Sequence, residues 1–435
     1  MNYKYSNLPL FIVNGFIIFT LFIFFLGPIN WYISLNDILR LILFMFFIII
    51  FIFFGFILGK RINNYKVNDP ISLIFKKINL NLVFLSSFLI LFPLVLINLI
   101  NKLYVDDLSL VLIIQKLYLV IFSPQLGYWD REGIQIGGKI FTYFYVLMSP
   151  LLLSYFIFGY YDFTKLSLFN KFSFILFVMI ELLSWVAIGT NKGIFDQFFI
   201  IFTIFLVKFI RNEIKLNLRR RILLMLSIAA VILILFLVFY LFIGGRLSFS
   251  PIIRSDFFSI NTFFLTNGLV ENDFYKLYIY FSNYISQGYF GLIRSFDSES
   301  PFYFGFGGSS FLIYNIQELF GINLTSNLLQ FKTFLNSGWP ALEKWHTVYV
   351  YLANEVGFFL TPLYIMFYGF LFGHSLRKSL MNPHSFDLVL LFLIMIFFFY
   401  SSANNQIMQY SHTAFTLIFI LVQKITRKFY EIIKS

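Results

Sequence analysis

The chain has 435 residues, 60% of them hydrophobic and 22% aromatic, with 65 phenylalanines and no cysteine. Charged residues make up only 12% and mean hydropathy is +0.84, whereas a soluble domain needs roughly a quarter of its residues charged to cover its surface. A soluble enzyme is therefore excluded, and so are disulfides, thiol chemistry and cysteine-ligated metals.

The apolar residues come in runs of about twenty, the length that crosses a hydrocarbon core of roughly 30 Å. The first run, 8–28, is too long for a signal-peptide core and lacks a small-residue cleavage site before Pro28, so it reads as a retained span. Runs 39–59 and 80–100 follow. Residues 108–122, interrupted by Gln115 and Lys116, read as a re-entrant or interfacial helix. Further spans fall at 139–159, 172–189, 194–210 and 222–243, and after a long connection at 347–373, 386–402 and 411–425. This predicts an all-α polytopic membrane protein of about ten transmembrane helices. It divides the chain into a membrane bundle of seven spans (1–243), a large outer-face loop (244–346) and a second bundle of three spans (347–435).

Charge orients these spans. Lys60, Arg61, Lys66, Lys76 and Lys77 lie between the second and third, and Lys165 and Lys171 follow the fourth. Lys208, Arg211, Lys215 and Arg219 to Arg221 follow the sixth, Arg377 and Lys378 the eighth, and Lys424, Arg427, Lys428 and Lys434 close the tail. With ten spans all of these fall on one side, and the positive-inside rule makes that side, and both termini, cytoplasmic. The net charge of +12 is thus an orientation signal facing the lipid bilayer, and no nucleic-acid partner is expected.

The 244–346 connection is far longer than a turn needs, and such loops have a job or a fold of their own. It alternates aromatics with turn residues. DFYKLYIYFSNYISQGYFGLIR (273–294) reads as an amphipathic helix with a tyrosine face, GFGGS (305–309) as a glycine-rich turn and 310–320 as a second short helix.

Isolated basic residues fall on the side that needs none for orientation. Lys192 sits in the hairpin GTNKG (189–193), Arg246 in GGR (244–246), Arg254 shortly after, and Arg294 at the end of the aromatic helix. Each alone reads equally as an interface anchor with a snorkelling stem. As a set beside glycines they suit a lipid diphosphate, for which arginine offers a planar fork. No nucleotide-binding motif is present.

WPALEKWHTVYVYL (339–352) gathers Glu343, Lys344, Trp345 and His346 just before an apolar run. His346 suits a proton acceptor at neutral pH, with Glu343 and Glu355 as acidic alternatives; the bland reading is an interfacial belt. Glu355, nine residues into the run, is costly in lipid and should face protein or a water-filled cavity. Helical spacing puts Thr347, Tyr351, Asn354 and Glu355 near one face. Glu181, within ELLSW, is a candidate partner for Glu355. The four histidines are scattered, and DSES (297–300) lacks the glycine and remaining ligands of a calcium loop, so no metal site or cofactor is expected.

The segments IGTNKGIFDQFFIIF (188–202), GGRLSF (244–249) and WHTVYVYLANEVGFFLTPLYIMFYGFLFG (345–373), with the layout around them, resemble the bacterial O-antigen and capsule repeat-unit polymerases. In that family the hairpin's basic residue is more usually an arginine; here it is Lys192. The resemblance implies a metal-independent membrane glycosyltransferase in a bacterial cell membrane, without cofactor. It would transfer a growing glycan from undecaprenyl diphosphate to a sugar hydroxyl of a new lipid-linked repeat unit. Undecaprenyl-diphosphate-linked oligosaccharides would be its substrates, and a chain-length regulator protein is a partner such enzymes can have. The resemblance maps diphosphate-binding arginines onto Arg246, Arg254 and Arg294, with Lys192 beside them. His346, Glu355 and Arg254 would form the reaction centre, and Tyr351, Asn354 and Glu343 the acceptor pocket. The alternatives are an O-antigen ligase, which shares donor and layout, and a flippase or other transporter, which predicts paired discontinuous helices with charges near midplane.

Overall fold

The computed structural model describes residues 5–61, 79–105, 108–123, 136–214, 230, 233–240, 242, 256–261, 273–303, 305–341 and 344–434. In chain order the elements are α1 (Leu8–Leu26), β1 (Ile29–Trp31), α2 (Leu35–Arg61), α3 (Leu80–Leu103), α4 (Leu110–Phe122), α5 (Gly138–Asp162), α6 (Leu168–Ala187) and α7 (Lys192–Ile210). Then come β2 (Phe258–Ile260), α8 (Asp273–Ser295), α9 (Ser310–Phe320), α10 (Leu329–Ser337), α11 (Val348–Met381), α12 (Phe386–Phe399), α13 (Gln406–Gln409) and α14 (Ser411–Lys434).

The protein is a predominantly helical, multi-pass membrane protein. Among the described residues seven helices are long and apolar enough to cross a bilayer: α1, α2, α3, α5 with its 3₁₀ extension to Lys165, α6, α7 and α11. The expected span at 222–243 lies largely outside the described residues. The expected span 386–402 is a helix of 14 residues, shortened because the polar run from Ser401 leaves it. The 411–425 run lies within α14, whose ends are polar. Helix α4, with 13 residues, is too short to cross, in keeping with its re-entrant or interfacial reading. The helices expected at 273–294 and 310–320 are present as α8 and α9. The strands were not anticipated; they pair antiparallel with Trp31 opposite Phe258 and Ile29 opposite Ile260.

The chain forms two compact units. The first gathers 1–65, 251–381 and 390–435; the second holds 66–250 and 382–389. The first unit is organised by the crossing of α2 and α11. A Cβ on Gly59 would fall 2.1 Å from the Phe370 carbonyl oxygen, and one on Gly373 2.0 Å from that of Phe56; Gly55 and Gly369 face the partner backbone in the same way. Small residues four apart on both helices let the backbones meet, which is what packs helices where lipid removes the hydrophobic drive. This crossing joins the early span to the late one. Helix α8 lies against α1, with Thr20 Oγ1 2.9 Å from the Tyr289 hydroxyl. Trp31, delivered by β1, stacks on Phe290 at 5.3 Å, and Phe290 meets Trp339 at 4.9 Å. Trp339 is fully buried, so the first tryptophan of WPALEKWH is core.

In the second unit α3 and α6 are stitched through Asn81, whose Oδ1 accepts from the Ser167 amide at 2.8 Å and whose carbonyl accepts from Asn170 Nδ2 at 2.9 Å. Near the end of α5 the buried Asp162 carboxylate meets His384 Nε2 at 2.5 Å and Lys165 Nζ at 2.7 Å.

Candidate functional site

The site begins with a break in a membrane helix. Within α11, Gly357 takes φ 73° and ψ 163°, a left-handed φ that favours glycine. The break removes helical partners from the preceding turn, so the Asn354 carbonyl is free to accept from the Tyr303 amide at 2.8 Å. Asn354 and Glu355, both buried, stand just before the break.

Their side chains organise the glycine-rich turn. The Gly305 and Gly308 amides donate to the two oxygens of the Glu355 carboxylate at 2.5 and 2.6 Å. Asn354 Oδ1 accepts from the Leu329 amide at the start of α10, 2.8 Å away. Asn354 Nδ2 donates to the Gly307 carbonyl at 3.3 Å and to Gln330 Oε1 at 3.1 Å. From the other side Asn405 Nδ2 donates to the Gly308 carbonyl at 3.1 Å, and Ser309 Oγ to the Met408 carbonyl at 2.8 Å. A Cβ at position 308 would lie 3.0 Å from the Glu355 carboxylate. Glycine there lets the amide reach the charge. Turn amides that converge in this way form an anion-holding concavity, filled here by the protein's own carboxylate.

Beside this turn is a cavity of about 230 Å³ lined by Gly307, Ser310, Ile313, Leu328, Gln330, Phe331, Ala341, Lys344, Trp345, Tyr351 and Gln409. Gln409 Nε2 donates to the Tyr351 hydroxyl at 2.7 Å. The lining combines neutral amides and hydroxyls with one indole and one lysine. It offers hydrogen bonds to hydroxyl groups and a flat apolar surface, with room for a ligand of about one sugar ring.

Of the sequence-predicted residues, the structure brings Tyr351, Asn354 and Glu355 together here. His346 follows two lining residues but is not itself on the cavity wall. It is fully buried, neither ring nitrogen has a well-formed hydrogen bond, and its Cδ2 packs where a Cβ on Gly291 would stand, 3.1 Å away. Burial pushes its imidazole down to about 3, opposed only by the backbone of Lys344, so it is uncharged at neutral pH. Arg294 Nη2 donates to the Tyr32 carbonyl at 2.8 Å, and its guanidinium lies 4.8 Å from the Phe290 ring centroid. Lys192 belongs to the second unit, where it is buried and paired with Asp196. Glu181, in the second unit, accepts from Trp185 Nε1 at 3.0 Å and from the Tyr145 hydroxyl at 3.5 Å. Arg246, Arg254 and Glu343 lie outside the described residues. Among the described residues no three His, Asp or Glu side chains converge to hold an ion.

Sequence reasoning missed Gln330, Asn405 and Gln409. The signal was SSANNQIMQY (401–410), a polar run between two apolar helices in which Ser401, Ser402, Asn404, Asn405 and Gln406 are all buried. Buried amides need partners, and Asn405 finds its partner in the glycine turn.

No family model matches the chain, and no curated protein or solved structure matches it either.

Proposed function

We propose that this protein is a membrane glycosyltransferase that extends a lipid-linked glycan, as its resemblance to the repeat-unit polymerases implies. The observation that carries the reading is the cavity of neutral amides, hydroxyls and one indole beside a broken membrane helix. In the reaction an acceptor sugar hydroxyl attacks the donor's anomeric carbon on the outer face of the membrane. The bond from that carbon to the diphosphate oxygen breaks, and the electron pair leaves with undecaprenyl diphosphate. Gln330, Tyr351 and Gln409 hold sugar hydroxyls, and Trp345 stacks on the apolar face of the ring. Glu355, directly behind Gly308, takes the hydroxyl proton once the turn moves. His346 is left a packing role. Lys344, on the cavity wall, contributes positive charge toward the leaving diphosphate. Such fixed charge lowers the barrier where negative charge develops.

The test uses protein in nanodiscs with a lipid-diphosphate-linked oligosaccharide and no nucleotide. A product ladder in steps of one repeat unit is expected. No extension with the native repeat unit would overturn the reading. The ligase reading is checked in the same vessel by adding a lipid A-core acceptor.

A transporter is the second reading, favoured by the break in α11 beside Asn354 and Glu355. Discontinuous helices with polar groups at the break mark substrate paths in transporters. Translocation of a fluorescent lipid-linked oligosaccharide across vesicles containing the protein, without elongation, would decide for it.

A further inference from the structure

Helix α9 supplies Ser310 and Ile313 to the cavity wall, with Ile313 buried. Past that point the helix and the turn that follows present Tyr314 at 63% exposure, Leu319 at 78%, Phe320 at 70% and Ile322 at 47%. Among the described residues of the first unit nothing covers these four large side chains.

Both ends of the segment are fixed at the boundary of the membrane helices. At its start, Ser309 and Gly308 bond to Met408 and Asn405, in the polar run joining α12 to α14. Beyond its end, the Leu324 carbonyl accepts from the Tyr303 hydroxyl at 3.0 Å. The neighbouring Phe302, itself exposed, packs its ring 3.1 Å from where a Cβ on Gly357 would stand. Two residues further along α11, Phe359 is 94% exposed, and Leu360 and Leu363 continue the exposed apolar belt of a membrane-spanning helix. The α9 patch is therefore continuous, through Leu324, Tyr303 and Phe302, with a lipid-facing surface.

We propose that α9 and its following turn lie in the membrane–water interface, with Tyr314, Leu319, Phe320 and Ile322 immersed at the boundary between headgroups and acyl chains. The occupant of the patch is lipid. A segment that exposes a cluster of large apolar side chains at its end and is tied at both ends at this depth is stable lying in the interface plane, and tyrosine favours that depth. Glu318, exposed next to Leu319, stays among the headgroups. The helix then separates the cavity from the lipid, a geometry independent of the reaction carried out inside.

The chain has no cysteine, so single cysteines carry a fluorophore without background. Labels at Leu319→Cys and Phe320→Cys, with Ser326→Cys as an exposed control, are placed in the full-length protein in phosphatidylglycerol/phosphatidylethanolamine nanodiscs. The 319 and 320 labels are expected to emit to the blue, to lose intensity with doxyl-labelled lipids and to resist iodide; the 326 label should show the reverse. Iodide quenching at 319 and 320 equal to that at 326 overturns the proposal. Protection from both quenchers also overturns it and points to a second copy of the chain on the patch. A thermal transition matching the unlabelled protein confirms folding, and Tyr314→Cys serves where either variant fails that check.

Discussion

The two units bury carboxylates in membrane helices by opposite means. In the first, Glu355 is held by two backbone amides from a turn fifty residues earlier. In the second, Asp196 is paired with Lys192, Glu181 bonds to Trp185, and Lys102 and Lys192 stand 4.1 and 5.1 Å from the Trp185 ring centroid. The second solution matches charge with charge between side chains, and one-sided loss leaves a bare ion in a dry site. The first matches charge with backbone dipoles, so the carboxylate fixes the fold of the turn beside the cavity. Polar chemistry in the first unit is thus tied to a ligand-sized space, whereas in the second it closes on itself.

Four changes test that contrast, beginning with the frame that holds the first unit together. Gly373→Leu drives a side chain into the Phe56 carbonyl; we expect loss of monodisperse protein on size exclusion, whereas Gly15→Ala, with open space around it, should be silent. In the second unit, Lys192→Met leaves Asp196 unpaired and should cost about 3–5 kcal/mol, read from denaturant unfolding. The double change with Asp196→Asn should restore most of that loss, and unchanged stability in the single variant would refute the closed-pair description.

Glu355→Gln should cost about 1.5–3 kcal/mol. Its single amide oxygen satisfies one of the two glycine amides while its NH₂ opposes the other. The same variant should lose the product ladder; full activity would remove Glu355 from the reaction.

His346 has neither an amide cradle nor a counter-ion, and pH exposes this. Its folded value, about 3, lies below the ordinary 6.5, so the unfolded chain binds more protons between them. The contribution is fully present above pH 6.5 and is lost as pH falls toward 3, by at most about 1.4 kcal/mol per unit. Unfolding at pH 7, 6 and 5 should show this slope, and His346→Gln should flatten it.

Much of the layout was legible in advance because membrane insertion is decided segment by segment. The runs that became α1, α2, α3, α5, α6, α7 and α11 each carry enough apolar length of their own. The amphipathic patterns of α8 and α9 are equally local. The polar pair Asn354 and Glu355 was conspicuous because a charge inside an apolar run needs a reason. The tertiary structure decided everything that depends on distant segments meeting. It set Gly55 and Gly59 against Gly369 and Gly373, brought the Gly305 and Gly308 amides to Glu355 and enclosed His346; the Lys192–Asp196 pair, four residues apart on α7, is local. Apolar length adds up along one segment and can be read from it. A hydrogen bond or a close backbone contact is a property of two segments, and its partner is fixed only when the chain has packed.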